Sequence, residues 1–164
     1  MDIQKIFSGI EYRVLCTGIE FNVNDIQYDS RKIKENDIFV ALIGSEVDGH
    51  SYIDKAIENG AKMLIVERLD LKYPEGIWVI QVNDLRNNLG FIASNYFDYP
   101  QNKLKVIGVT DTNRKTTSTY ILESILKNSS RIGTTGCRIL DKEYPTNNTT
   151  PESLDLIKIF YQEG

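Results

Sequence analysis

One stretch in the second half of the chain constrains the fold most, because it joins an apolar run to a helical pattern through a polar loop. The apolar run covers Leu104–Thr110, and the amphipathic pattern covers about Lys115–Lys127. Backbone N–H groups and the partial positive charge at a helix N-terminus attract phosphates, so this order of elements is typical of nucleotide-binding loops. Gly108, Lys115 and Thr116 match the positions that such a loop uses for close backbone approach, the terminal phosphates and magnesium.

The same loop departs from the usual glycine pattern. Asp111 and Arg114 stand where glycines are expected, and Val109 prevents a match to the strict GxxxxGK[ST] spacing. The spacing fits a related form, G-x-x-G-x-x-G-K-T, with two of its three glycines replaced. The loop alone leaves three interpretations open: an active nucleotide site, a degraded one, or an ordinary turn with a solvated Lys115.

The first hundred residues alternate between strand and helix patterns, which predicts an α/β domain. The apolar runs that predict buried strands are Asp37–Gly44, Lys62–Glu67 and Ile77–Val82. A helix that ends at Gly60 follows the first run. A longer amphipathic helix begins after Asp84, a candidate cap, and ends before Pro100.

Residues 98–105 are predicted to link this domain, residues 1–100, to a second one over residues 101–164. The second pattern ends with a strand near Arg131–Thr135 and a helix that Thr150 is expected to cap, with Pro151 at the first helical position. One strand–helix–strand unit with an extra helix cannot cover both faces of a parallel sheet. The second domain is therefore expected to be the beginning of a P-loop-type α/β domain.

Composition narrows the class of protein. The chain has 164 residues, 41% of them hydrophobic and 26% charged, which is typical of a globular protein. The net charge of −4 and the lack of a basic block argue against a nucleic-acid partner. No apolar run approaches the ~20 residues of a membrane span, and no signal peptide is indicated. Two distant cysteines favour a reducing, cytoplasmic setting, and a monomer is expected.

Three stretches together resemble one family, the Mur ligases. YDSRKIKENDIFVALIGSEVDGHSYIDKAIENGA is similar to the family's N-terminal pattern, and VIGVTDTNRKTTS is similar to its nucleotide loop, GVTGTNGKTTT. NTTPES resembles the substrate loop of the MurE-type branch. Order and spacing agree along the whole chain, which would correspond to roughly the first third of a family member.

The resemblance implies an ATP-dependent ligase that adds the third amino acid to UDP-N-acetylmuramoyl-L-alanyl-D-glutamate in peptidoglycan synthesis. ATP would phosphorylate a carboxylate of this substrate, and the amine of the incoming amino acid would attack the acyl phosphate. The residues implied to bind ATP are Asp111, Thr112, Asn113, Arg114, Lys115, Thr116 and Thr117. Those implied to bind the UDP-sugar dipeptide are Tyr28 and Ser30 (uracil and ribose), Ser45, Glu46 and Val47 (diphosphate), and Asn148, Thr149 and Thr150 (muramoyl-peptide end). Thr116 and Glu152 are implied to hold Mg²⁺.

Several of these roles compete with a plain structural interpretation. Ser30 fits an ordinary turn, and Thr150 fits a helix cap. Glu152 would be favoured near a helix N-terminus by the dipole alone. Asp48 and Gly49 are interpreted as a turn before a helix that His50 opens, and His50 is assigned no catalytic role.

The departures at Asp111 and Arg114 predict weakened ATP binding. The family's remaining metal ligands, its modified lysine and its amino-acid-binding domain would lie beyond Gly164, so this chain alone is expected to be inactive. The main rival interpretation is a non-catalytic UDP-sugar-binding remnant or pseudoenzyme. A different P-loop NTPase is disfavoured because it would not explain the DSR and NTTP segments.

Overall fold

The computed structural model describes residues 2–44, 47–110, 115–126, 129–133, 136–139, 142–144 and 151–163. The chain divides into two compact units, Met1–Tyr96 and Phe97–Gly164. Both contain helices and strands, which confirms the α/β class. Within the described ranges, no helix has the length and apolar character needed to cross a membrane.

The first unit is built on a five-stranded sheet in the order β1-β5-β4-β3-β2. The strands are β1 (Tyr12–Cys16), β2 (Ile26–Gln27), β3 (Ile38–Val40), β4 (Met63–Val66) and β5 (Trp78–Val82). Neighbouring strands from β2 to β5 run parallel, whereas β1 pairs antiparallel with β5 at the edge of the sheet. The three strands predicted from apolar runs are therefore confirmed, each somewhat shorter than its run.

The central strands are buried on both faces, as expected for a parallel sheet. Every residue of β3 and β4 is buried. Phe39 and Leu64 pack with Ala56 of helix α2 (Ile53–Glu58) in one apolar cluster. Ile38 and Met63, which precede Phe39 and Leu64 in their strands, are also fully buried, and strand alternation places them on the opposite face of the sheet.

Two further helices complete the unit, α1 (Ile3–Ile6) and α3 (Leu85–Tyr96). Leu85, Leu89 and Ile92 of α3 are fully buried, at the helical spacing that predicted this helix. The buried Asn95 side chain donates hydrogen bonds to the carbonyls of Ile6 (3.0 Å) and Ser8 (2.9 Å). The N-terminal segment is thereby fixed to α3 by satisfied polar groups.

The second unit contains α4 (Lys115–Ile125), α5 (Ser153–Glu163) and a three-stranded antiparallel sheet. The strands are β6 (Arg131–Gly133), β7 (Gly136–Ile139) and β8 (Lys142–Tyr144), in that order. A 3-10 turn at Pro100–Lys103 packs against α5. The predicted helix at 115 and the strand that begins at Arg131 are confirmed.

Two expectations for the second unit are wrong. No strand is assigned over the described segment Leu104–Thr110, because none of the described strands pairs with it. Val106 and Ile107 are more than half exposed there, so apolar character alone does not produce a strand. Pro151 is not the first residue of helix α5, which begins at Ser153. The Leu156 N–H donates to the Glu152 carbonyl (3.0 Å), so Pro151 precedes the helix.

We predict that residues 1–100 fold without the rest of the chain. The reason is that the five-stranded sheet and its apolar core lie within Met1–Tyr96. A polypeptide of residues 1–100 should unfold in one cooperative thermal transition and give well-dispersed amide signals. A molten profile, with secondary structure but no cooperative transition, would refute this boundary.

Candidate functional site

The first unit places three polar segments at one edge of its sheet. Strands β2, β3 and β4 are parallel neighbours, so their carboxyl ends share that edge. The segments that follow them are 28–32, 41–48 and 67–70. Open α/β sheets bind ligands outside the carboxyl ends of their strands, so this edge is the candidate site of the first unit.

The segment after β2 contains Tyr28 and Ser30, two of the predicted UDP contacts. Tyr28 is half-buried, and a 3-10 turn covers Ser30–Lys32. Asp29 caps this turn by accepting from the Arg31 N–H (3.0 Å), and the Arg31 guanidinium makes a forked pair with the same carboxylate (2.9 and 2.8 Å). This pair holds the pKa of Asp29 below its ordinary value, despite the opposing effect of burial. Asp29 and Arg31 thus fix the turn that presents Ser30.

A hydrogen bond from Asn59 holds the backbone of Ser30. The Ser30 carbonyl accepts a hydrogen bond of 2.8 Å from the side chain of Asn59, directly after α2. Only 6% of the residue is exposed. In the described part of the chain, the Ser30 hydroxyl has no hydrogen-bond partner, an arrangement that leaves it available to a ligand.

The segment after β3 is called the 43–48 loop here, and the structure describes Ile43, Gly44, Val47 and Asp48 of it. Ile43 and Asp48 pair antiparallel, and the Gly44 N–H donates to the carbonyl of Val47 (2.9 Å). Arg86 of α3 donates to the carbonyl of Ile43 (3.2 Å). Val47, one of the predicted diphosphate contacts, is half exposed. The other two, Ser45 and Glu46, lie outside the described residues.

Gly49 closes the 43–48 loop against the end of β3. Its N–H donates to the carbonyl of Leu42 (2.8 Å). A Cβ atom at this position would lie 2.6 Å from that same oxygen, so the close approach requires glycine. The Asp-Gly pair is therefore a turn, as the sequence indicates, and the backbone contact explains its glycine.

Asp48, the last residue of the 43–48 loop, forms a cluster with His50 and Arg68, in which only the His50 side chain is buried. His50 falls in a 3-10 turn, Gly49–Tyr52, before α2, and its side chain is only 2% exposed. Asp48 accepts from the His50 N–H (2.9 Å) and from the Arg68 guanidinium (3.1 Å). Burial raises the pKa of Asp48, but its hydrogen bonds from His50 and Arg68 outweigh this and leave the pKa below its ordinary value. Asp48 and His50 belong to the family-like stretch of the sequence, in its DGHSY part, but that pattern does not indicate which partners the His50 ring has.

The candidate phosphate site of the second unit is only partly described. Lys115 and Thr117 are exposed and Thr116 is half-buried, all three in the first turn of the 11-residue helix α4. The Thr116 carbonyl accepts from the Thr119 hydroxyl (2.8 Å), a bond that uses none of the N–H groups of that turn. The predicted ATP contacts Asp111, Thr112, Asn113 and Arg114 lie outside the described residues.

The remaining predicted contacts fall near α5. Glu152 is half-buried directly before the helix, and Asn148, Thr149 and Thr150 lie outside the described residues. The pairing of Thr116 with Glu152 around Mg²⁺ therefore stays a prediction, although a hydroxyl and a carboxylate are the oxygen ligands that Mg²⁺ prefers.

Comparison with known proteins gives relatives for nearly the whole chain. It is 53% identical over 160 residues to UDP-N-acetylmuramoyl-L-alanyl-D-glutamate–2,6-diaminopimelate ligase of Fusobacterium nucleatum, covering 95% of this chain and 33% of the relative. The chain is similar to the Mur ligase family. The family's sequence profile, described as the Mur ligase family catalytic domain, matches residues 22–97, all but the last of them in the first unit. The enzyme of the same name from Clostridium perfringens is 43% identical over 164 residues, covering 98% of this chain and 34% of the relative.

Solved structures of Mur ligases share the fold. A structure of UDP-N-acetylmuramoyl-L-alanyl-D-glutamate–2,6-diaminopimelate ligase matches with a TM-score of 0.67 and 27% identity, covering 99% of this chain and 33% of that chain. MurF ligase from Thermotoga maritima, in complex with ADP, matches with a TM-score of 0.57 and 28% identity, covering 84% and 29%. The chain thus spans about a third of the length of the curated relatives.

Proposed function

We propose that this chain is the N-terminal portion of a MurE-type ligase and that its first unit binds UDP-N-acetylmuramoyl-L-alanyl-D-glutamate. The observation that supports this best is the carboxyl edge of the first sheet, where the Ser30 turn and the 43–48 loop follow neighbouring parallel strands. Ser30 offers a nearly buried hydroxyl to the uracil or ribose, beside Tyr28. The loop offers backbone groups and Val47 to the diphosphate, together with Ser45 and Glu46.

In the whole ligase, the reaction would join 2,6-diaminopimelate, the amino acid in the relatives' names, to the D-glutamate of this substrate. The γ-phosphoryl group of ATP passes to a glutamate carboxylate and gives ADP and an acyl phosphate. The amine then displaces phosphate, an amide forms and a proton is released. Asn148, Thr149 and Thr150 would hold the muramoyl-peptide end.

The second unit supplies part of the ATP site in this proposal. Lys115 at the start of α4 would contact the terminal phosphates, with the 111–117 segment around them. Thr116 and Glu152 would hold Mg²⁺, which neutralises phosphate charge when bound. We place the protein in the cytoplasm as a monomer, and the free thiols of Cys16 and Cys137 agree with a reducing compartment.

The rival function is a non-catalytic UDP-sugar-binding protein. One observation favours it, the replacement of two glycines in the nucleotide loop by Asp111 and Arg114. Both functions require the UDP-sugar site of the first unit, and they differ in whether ATP binds.

We predict that Ser30→Ala weakens binding of UDP-N-acetylmuramoyl-L-alanyl-D-glutamate by about threefold to tenfold, because one hydrogen bond contributes about 0.5–1.5 kcal/mol. Titration calorimetry on the 164-residue chain measures the change. Ser51→Ala, at an exposed position, is the matched control and should leave the affinity unchanged. Lack of binding by the unsubstituted chain at millimolar ligand would overturn the proposed function.

A further inference from the structure

His50 is a buried imidazole whose two ring nitrogens both have partners. Nδ1 lies 2.6 Å from Asp48 Oδ1. Nε2 lies 3.2 Å from the backbone nitrogen of Glu67 and 3.3 Å from that of Arg68. The ring therefore connects the segment after β3 to the segment after β4.

These partners fix the protonation of the ring. A backbone N–H only donates, so Nε2 must accept from Glu67 and Arg68 and carries no proton. Nδ1 then carries the proton of the neutral imidazole, and this N–H donates a hydrogen bond to the Asp48 carboxylate. A protonated ring would have no acceptor for the two N–H groups, so the observed contacts require the neutral form.

Asp48 contacts the ring at Nδ1, and the Arg68 backbone contacts it at Nε2. The Asp48 carboxylate accepts from the His50 backbone and ring through one oxygen and from Arg68 Nη1 through the other (3.1 Å). Arg68 is held in turn by Asp70, to which its Nε donates (3.0 Å). The Tyr73 hydroxyl donates to the Arg68 carbonyl (2.6 Å). The strand-end segment that His50 contacts is thus ordered independently of the ring.

The sheet does not need this bridge. Strands β3 and β4 pair directly, with Ile38 opposite Met63 and Val40 opposite Ile65. The 43–48 loop, by contrast, extends beyond the strand, and Asp48 is both its last residue and the partner of the His50 ring. The bridge therefore acts on the position of the loop.

We propose that His50 is a positioning residue, which anchors Asp48, the last residue of the 43–48 loop, to the end of β4 and so orients Gly44 and Val47 for contact with the ligand diphosphate. The inference rests on the proposed function for its ligand, whereas the anchoring itself is a property of the ligand-free chain. The His50 side chain is only 2% exposed, so it is not placed to contact the ligand directly. It acts through Asp48 and the backbone of the loop.

The test compares His50→Phe with His50→Gln in the 164-residue chain. Phenylalanine keeps a planar ring and loses both polar atoms, whereas glutamine keeps an amide oxygen as an acceptor near the Nε2 position. Hydrogen exchange at the Gly44 and Gly49 amides reports loop order without ligand. Exchange at β4 amides shows whether each variant remains folded, and calorimetry gives the affinity for UDP-N-acetylmuramoyl-L-alanyl-D-glutamate.

For His50→Phe we expect loop protection to fall by about tenfold and affinity by about fivefold, with β4 protection retained, while His50→Gln recovers most of both. Unchanged loop exchange in His50→Phe would overturn the anchoring. Loosened loop exchange with unchanged affinity would overturn the role in binding. If the unsubstituted chain does not bind the ligand, the proposed function fails, and loop exchange alone decides the anchoring.

A measurement without substitution covers the case in which His50→Phe does not fold. Nitrogen chemical shifts of the imidazole in the unsubstituted chain report which nitrogen carries the proton. The contacts of the ring predict a proton on Nδ1 and none on Nε2. A proton on Nε2 would overturn the proposal, because that nitrogen could not then accept from Glu67 and Arg68.

Discussion

Replacing Asp111 and Arg114 together by glycine is expected to strengthen the binding of magnesium-ATP by several hundredfold. If the 111–117 segment holds ATP, the Asp111 carboxylate lies close to phosphate oxygens. Two unit charges about 4 Å apart repel by about 4 kcal/mol at an effective dielectric constant of about 20. That energy corresponds to several hundredfold in affinity, at tenfold for about every 1.4 kcal/mol.

Arg114 impairs the same loop by shape. Its charge attracts phosphate, but a side chain stands where glycine permits close approach and positive φ, and we expect the steric loss to dominate. Asp111→Gly and Arg114→Gly alone should therefore each recover less than the pair, since neighbouring residues of one small loop are not independent.

The measurement is calorimetric titration of magnesium-ATP into the unsubstituted chain, the two single variants and the double variant. Titration of UDP-N-acetylmuramoyl-L-alanyl-D-glutamate into the same four proteins is the control. Its affinity should hardly change, because Tyr28 and Ser30 belong to the other unit. Equal ATP affinity in the unsubstituted chain and the double variant would show that the loop is not degraded, and would remove the observation that favours a non-catalytic protein.

The sequence predicts the first unit well where strands are buried on both faces. Continuous apolar runs at Asp37–Gly44 and Lys62–Glu67 contain β3 and β4, because parallel strands need apolar residues on each side. Strand β1 is not indicated by any such run. It lies at the sheet edge, and Arg13 and Val14 are exposed, so neither continuous burial nor clean alternation appears in its sequence.

In the second unit, apolar runs predict strands less well. The apolar run Leu104–Thr110 predicts a strand, but a strand exists only where a neighbour accepts its hydrogen bonds, and apolar content does not report a neighbour. The hairpin of β7 and β8 is likewise not predicted. Polar and charged residues such as Arg138 and Lys142 interrupt its short strands, which removes the apolar pattern.

One part of the candidate site can be predicted from the sequence, and another part cannot. Tyr28, Ser30 and the 43–48 loop are found by matching residues to a family pattern, and the parallel strands explain why these segments share an edge. His50 also lies in that pattern, in DGHSY, but its contacts could not be predicted this way. Its role depends on backbone atoms of Glu67 and Arg68, distant in sequence, and the identity of a side chain carries no information about such partners.

Replacement of Glu123 in α4 should also have a large effect, in this case on the stability of the second unit. Arg131 and Arg138 stand opposite each other across the β6–β7 pair, and like charges in that position destabilise a sheet. Glu123 accepts from Arg131 Nε (3.0 Å) through one carboxylate oxygen and from Arg138 Nη1 (3.4 Å) through the other. Arg131 also stacks on the Tyr120 ring at 4.0 Å. One carboxylate therefore serves two arginines.

Glu123→Gln should destabilise the second unit by about 3 kcal/mol, because breaking a buried pair leaves its partner charge without full compensation. The side chains of Arg131 and Glu123 are 7% and 10% exposed, so solvent screens the pair little. Glu58→Gln is the matched control, since the Lys55–Glu58 pair is 58% and 67% exposed and should contribute less than about 0.5 kcal/mol. Hydrogen exchange at α4 amides, and at the Leu126 amide that follows the helix and donates to the Leu122 carbonyl, measures the second unit, while fluorescence of Trp78 monitors the first. Equal effects of the two substitutions on α4 exchange would show that Glu123 does not hold the two arginines together.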